Sequence, residues 1–231
     1  MLGSRKFQAQ RRDASGSEVS GFSGSPFRLL ITSGLADPFN FSIQKLEILE
    51  TVELAVNAGI EFVQIREKRL PARHLFELAR EAADLTSGTA TRLLVNERFD
   101  IALAAGADGV HLTSNSMPVD RVREAVPLGF LIGVSAHSSA EVIAAKMSGA
   151  DYVMLGPIFA TPGKGEPLGI DTFRETCSAV SPFPVAAVGG IDASNEAEVI
   201  EAGAAGVAAI RYLNDLLESG NDQDRINDRR T

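Results

Sequence analysis

One short stretch occurs in four versions along the chain and constrains it more than any other feature. AGIEFV, AGADGV, SGADYV and AGAAGV begin at Ala58, Ala105, Ser148 and Ala202. Each reads as the end of a helix, a glycine suited to a left-handed cap, and the start of an apolar strand. The copies lie one or two strand–helix units apart, so the chain is built by repeating that unit. Hydrophobic periodicity supplies the missing copies. It predicts strands over 28–32, 62–66, 92–95, 109–112, 131–134, 152–155, 185–188 and 207–210. Helices are expected over 43–57, 71–86, 99–105, 119–125, 139–147, 170–179, 195–202 and 211–218.

Eight alternating units point to an α/β protein with a single (β/α)8 TIM barrel over 26–218. A doubly wound open sheet is the runner-up. It more often carries G-x-G-x-x-G after its first strand, and LLITSGLADPF is not such a turn. Residues 1–25, rich in Arg, Ser and Gly, are expected to form a disordered N-terminal extension, and 219–231 a charged C-terminal tail.

Net charge is −8, which argues against nucleic-acid and membrane-surface binding, so any phosphate site must be a local basic pocket. No apolar run reaches the about 18 residues of a membrane span. The single cysteine, Cys177, suits a reducing compartment, and the cytoplasm is expected. It falls in a helical pattern and reads as a buried small side chain. A homo-oligomer stays open.

In such a barrel, chemistry belongs to the loops that follow the strands. After strand two, QIREK puts Gln64, Arg66 and Lys68 on one face, where two cations could hold a diphosphate; a solvated strand end is the bland reading. After strand three comes Asn96 with Glu97, the best candidate for holding Mg2+ against phosphate oxygens. His111, on strand four, reads as structural. After strand five come Ser135 and His137, the latter able to titrate near neutral pH. After strand six, a loop rich in Gly and Pro carries Thr161 and Lys164, either a phosphate cradle or a surface connection. After strand seven, the Gly189–Gly190 turn suits a phosphate or simply a tight bend. His74 is expected on a solvated helix, and no histidine pair has zinc-ligand spacing.

Taken together, these motifs resemble the thiamine phosphate synthase family and its sister, the thiazole tautomerases, from about Leu29 to Leu213. The resemblance implies a transferase that joins a pyrimidine diphosphate to thiazole phosphate, with Mg2+ assisting departure of pyrophosphate. It implies Gln64 at the pyrimidine, and Arg66, Lys68, Asn96, Ser135 and Lys164 around the pyrophosphate. Thr161, Gly189 and Gly190 would hold the thiazole phosphate. Three departures stand out. Glu97 replaces the usual Asp, Ser116 stands where a second metal-binding Asp is expected, and Gly163 replaces a phosphate-binding Thr. The tautomerases also lack these acids and use a histidine matching His137. A barrel that binds a thiamine precursor without turnover is the third reading.

Overall fold

The computed structural model describes Phe22 and residues 25–228. Its strands are β1 (Phe27–Ile31), β2 (Phe62–Ile65), β3 (Arg92–Asn96), β4 (Gly109–Leu112), β5 (Leu131–Ala136), β6 (Tyr152–Leu155), β7 (Val185–Val188) and β8 (Gly206–Ala209). The helices are α1 (Phe41–Asn57), α2 (Ala72–Thr86), α3 (Phe99–Ala105), α4 (Val119–Ala125), α5 (Ser139–Met147), α6 (Ile170–Val180), α7 (Glu196–Glu201) and α8 (Arg211–Asp228). All strand pairings are parallel, and β8 returns to β1 to close the barrel. The (β/α)8 expectation holds, and the open sheet is excluded.

The repeat works as a cap. Gly59, Gly106, Gly149 and Gly203 all have positive φ. At each, the glycine N–H bonds three residues back, and the next N–H bonds five residues back (Ile60 to Ala55, Ala107 to Ala102, Ala150 to Ala145, Ala204 to Val199). That is a Schellman ending. It satisfies orphan carbonyls and turns the chain directly into the next strand.

Alternation divides the side chains of each strand between two cores. Outward residues such as Val63, Val95, Ile132 and Val153 pack under the helices. Inward residues of the lower barrel, among them Phe27, Leu29, Phe62, Leu131 and Tyr152, fill its interior. Phe62 meets Phe27 edge-on at 5.0 Å. Gly133 makes room for Tyr152, because a Cβ there would stand 2.2 Å from the phenol ring. Phe22 belongs to the stretch read as extension, yet its ring stacks under Phe62 at 5.4 Å and lies 5.5 Å from Tyr152. The rest of that extension, Ser25 apart, lies outside the described residues.

Two differences from the sequence reading have clear causes. The last helix runs to Asp228 rather than ending at Glu218. Residues 219–228 hold one apolar side chain, Ile226, so no periodicity marks them. His74 is half-buried, not solvated: its ring stacks on Phe41 at 4.2 Å. No helix among the described residues is long and apolar enough to cross a membrane.

Candidate active site

A cavity of about 410 Å3 opens at the C-terminal ends of the strands. Gln64 and Asn96 line it from β2 and β3, Arg66 and Lys68 from the loop after β2, Ser135 from β5 and His137 just past its end, Thr161 and Lys164 from the β6–α6 loop, and Gly189 and Gly190 from the turn after β7. The barrel therefore brings together ten of the eleven residues expected from sequence. The exception is Glu97, which does not line the cavity.

The floor is polar and buried. Gln64 is 1% exposed; its Nε2 donates to Asn96 Oδ1 at 3.0 Å, and its Oε1 has no partner among the described residues. A buried acceptor without a donor costs free energy, so a ligand donor is the natural complement. Beside it, His111 is also buried. One ring nitrogen, Nδ1, meets Tyr152 Oη at 3.0 Å, and the other, Nε2, meets Ser135 Oγ at 2.9 Å. Burial strips solvation from the cation, and the nearby Arg66 charge adds to this, so the His111 pKa falls to about 3. Burial pushes the Tyr152 phenol well above its usual value. Both groups are therefore neutral at working pH.

The mouth is cationic. Among the described residues, no carboxylate pairs with Arg66 or Lys164. Lys68 stands 4.0 Å from Glu97. Unpaired cations above a buried polar floor suit an anionic ligand whose other end is uncharged. Gly189 and Gly190 have φ of 93° and 68°, and a Cβ on either would strike the β6–α6 loop (Pro157 at 2.6 Å, Phe159 at 2.7 Å). Close packing thus requires both glycines, whatever they bind. Asn195 holds the N-cap position of α7, but its side chain makes no capping hydrogen bond there. Its Nδ2 donates to the Gly190 carbonyl at 2.8 Å and braces the turn.

Glu97 adopts φ of 63°, a left-handed conformation that costs a non-glycine residue free energy and often marks a functional site. Its N–H donates to the His111 carbonyl at 2.9 Å, and its Oε1 accepts from the Thr113 hydroxyl at 2.5 Å. Ser116 Oγ is close by, accepting from Thr113 N–H at 2.9 Å. No group of three or more metal-ligating side chains occurs among the described residues. The donor set fits a magnesium ion held by one carboxylate and completed by phosphate oxygens, not an all-protein cage.

Sequence reasoning missed Glu67. It is 3% exposed and accepts from the Thr32 hydroxyl (2.6 Å), Gly34 N–H (3.0 Å) and Ala36 N–H (2.9 Å), while Thr32 accepts from Arg66 N–H (2.8 Å). This carboxylate fastens the β1–α1 loop beside Arg66. Arg211, directly after strand eight, also lines the cavity, as its place in the chain predicts. Cys177 is 7% exposed, and burial pushes its thiol up to about 12, as befits a packing residue.

Residues 39–213 match the thiamine monophosphate synthase family model. The chain belongs to that family. A relative from Geobacter sulfurreducens is 50% identical over 170 residues, covering 72% of this chain and 79% of its own. The thiamine-phosphate synthase of Methanoculleus marisnigri is 46% identical over 164 residues, 70% of this chain and 77% of that one. Among solved structures, the thiamine phosphate pyrophosphorylase from Pyrococcus furiosus superposes with a TM-score of 0.70 at 29% identity, covering 84% and 92% of the two chains.

Proposed function

We propose that this chain is a thiamine-phosphate synthase. It joins 4-amino-5-hydroxymethyl-2-methylpyrimidine diphosphate to thiazole phosphate and releases pyrophosphate, in the cytoplasm. The observation that carries the reading is Gln64, whose buried, unpartnered Oε1 lies under a ring of cations. A heterocycle with an amino group and a diphosphate tail complements both ends of that cavity.

In this mechanism the barrel holds the pyrimidine by Gln64. Arg66, Lys68, Asn96, Lys164 and Ser135 then surround the diphosphate, whose charge grows as the carbon–oxygen bond breaks. Preorganised donors aimed at developing charge supply the largest share of such catalysis. The resulting pyrimidine cation is captured by the thiazole nitrogen, positioned through its phosphate by Thr161 and the Gly189–Gly190 turn. No protein base is required for bond formation. When bound, Mg2+ neutralises diphosphate charge, and Glu97 is the residue to hold it.

One observation favours the tautomerase as a second reading. His137 Nδ1 bonds the Gly156 carbonyl at 2.6 Å, which leaves Nε2 as the open ring atom at the cavity. Incubation of the chain with both synthase substrates, with product identified by mass, separates the two. The synthase yields thiamine phosphate, whereas a tautomerase yields none and instead converts carboxythiazole phosphate in a manner lost in His137→Asn.

A further inference from the structure

Ser135, His111 and Tyr152 form one line of hydrogen bonds from the dry lower barrel to the cavity. The end groups leave each other little choice. Tyr152 is wholly buried, and its hydroxyl has the imidazole Nδ1 as its partner at 3.0 Å. A neutral imidazole carries one proton, so one ring nitrogen donates and the other accepts. If Nδ1 carries the proton, Nε2 accepts from Ser135, and the serine hydrogen is spent inside the barrel. If Nε2 carries it, Tyr152 donates to Nδ1, Nε2–H donates to Ser135 Oγ, and the serine hydrogen is free to point into the cavity. Only the second arrangement gives an anion in the cavity a donor.

We infer that Tyr152 is a positioning residue for this site: its hydroxyl fixes the proton of His111 on Nε2 and thereby holds Ser135 as a hydrogen-bond donor to the diphosphate. Tyr152 touches no substrate. It acts from the lower layer, where Phe22 flanks its ring and the missing side chain of Gly133 admits it. Geometry sets the direction: the wholly buried Tyr152 hydroxyl has His111 Nδ1 as its one hydrogen-bond partner among the described residues, and a phenol that accepted from Nδ1 would leave its own hydrogen buried without an acceptor.

The inference rests on the synthase reading for the identity of the anion, but its tests do not need turnover. Long-range 1H–15N correlation spectra of the full chain, with His111→Gln to assign the signals, read the tautomer. A proton on Nε2 is expected, and a proton on Nδ1 overturns the proposal. Calorimetry with inorganic pyrophosphate supplies the second test. Tyr152→Phe is expected to weaken binding about 10- to 100-fold, the range for a lost hydrogen bond to a charged group. In a Ser135→Ala background the same change is expected to do nothing further, because the effect passes through the serine. Equal loss in both backgrounds makes Tyr152 merely structural and refutes the idea, as does Tyr152→Phe binding like the unmodified chain. An unmodified chain that binds pyrophosphate yet forms no thiamine phosphate sinks the synthase reading instead.

Discussion

The lower and upper halves of this barrel are built from the same eight strands and the same alternation, yet they do opposite things. Below, inward positions carry Phe27, Leu29, Phe62, Leu131 and Tyr152, packed and dry. Two residues past Phe62 stands Gln64 and four past Leu131 stands Ser135; with Asn96 from β3 and His111 from β4 they make a polar floor that keeps one acceptor unpartnered among the described residues. Stability is thus concentrated in the lower layer and binding in the upper. Tyr152 is the exception, a lower-layer residue whose one polar atom reaches upward.

Substitutions in the two layers should separate cleanly if this division is real. Phe62→Ala opens a cavity in the lower layer and should cost about 3–5 kcal/mol in denaturant unfolding. KM should hardly change in the folded fraction. Lys164→Ala should do the reverse, lowering kcat/KM by about 10²–10³ with the thermal midpoint unmoved. Gln64→Ala tests the floor: KM for the pyrimidine diphosphate should rise about tenfold, the loss of one buried hydrogen bond, with a smaller change for thiazole phosphate. Ser116→Asp adds a carboxylate beside Glu97 and should lower the Mg2+ concentration for half-maximal rate about tenfold, since carboxylate number tunes such sites. No change there would mean that Glu97 and Ser116 do not share a metal.

The smallest expected effect lies outside both layers. Arg28 Nε bonds Glu196 at 2.9 Å, and Tyr212 Oη donates to the same carboxylate at 2.6 Å. The hydrogen bond from Arg28 holds the Glu196 pKa below its ordinary 4.5. A depressed carboxylate pKa stabilises the fold above pH 4.5, and that stability is lost as pH falls through the folded value. Arg28 is well exposed, so the contribution is about 1 kcal/mol after solvent screening. Glu196→Gln should therefore be less stable at pH 7 and indistinguishable from the unmodified chain near pH 2.

The fold was legible because its signals are local. In four of the units a capping glycine and an apolar run lie within six residues of one another, and the Schellman bonds reach back no more than five residues. Most of the site followed from one rule, that polar residues just past a barrel strand face the cavity. What escaped depends on partners far apart in sequence. Glu67 meets donors 31 to 35 residues away, and His111 meets Tyr152 across 41 residues. Glu67 sits one residue out of phase with Gln64, Arg66 and Lys68, so alternation alone assigned it no task. Glu97 illustrates the converse: its motif placed it next to the site, but it stands behind Thr113, whose hydroxyl donates to its carboxylate and which lines the cavity in its place.

The most direct test is the rate of thiamine phosphate formation from the two substrates, with and without Mg2+, in the full chain and in Lys164→Ala. Thermal midpoints should be read on the same samples. The account expects metal-dependent product from the unmodified chain and a loss of at least about 100-fold in the variant at an unchanged midpoint. Product formation that Lys164→Ala leaves intact, or no product from a well-folded unmodified chain, contradicts it.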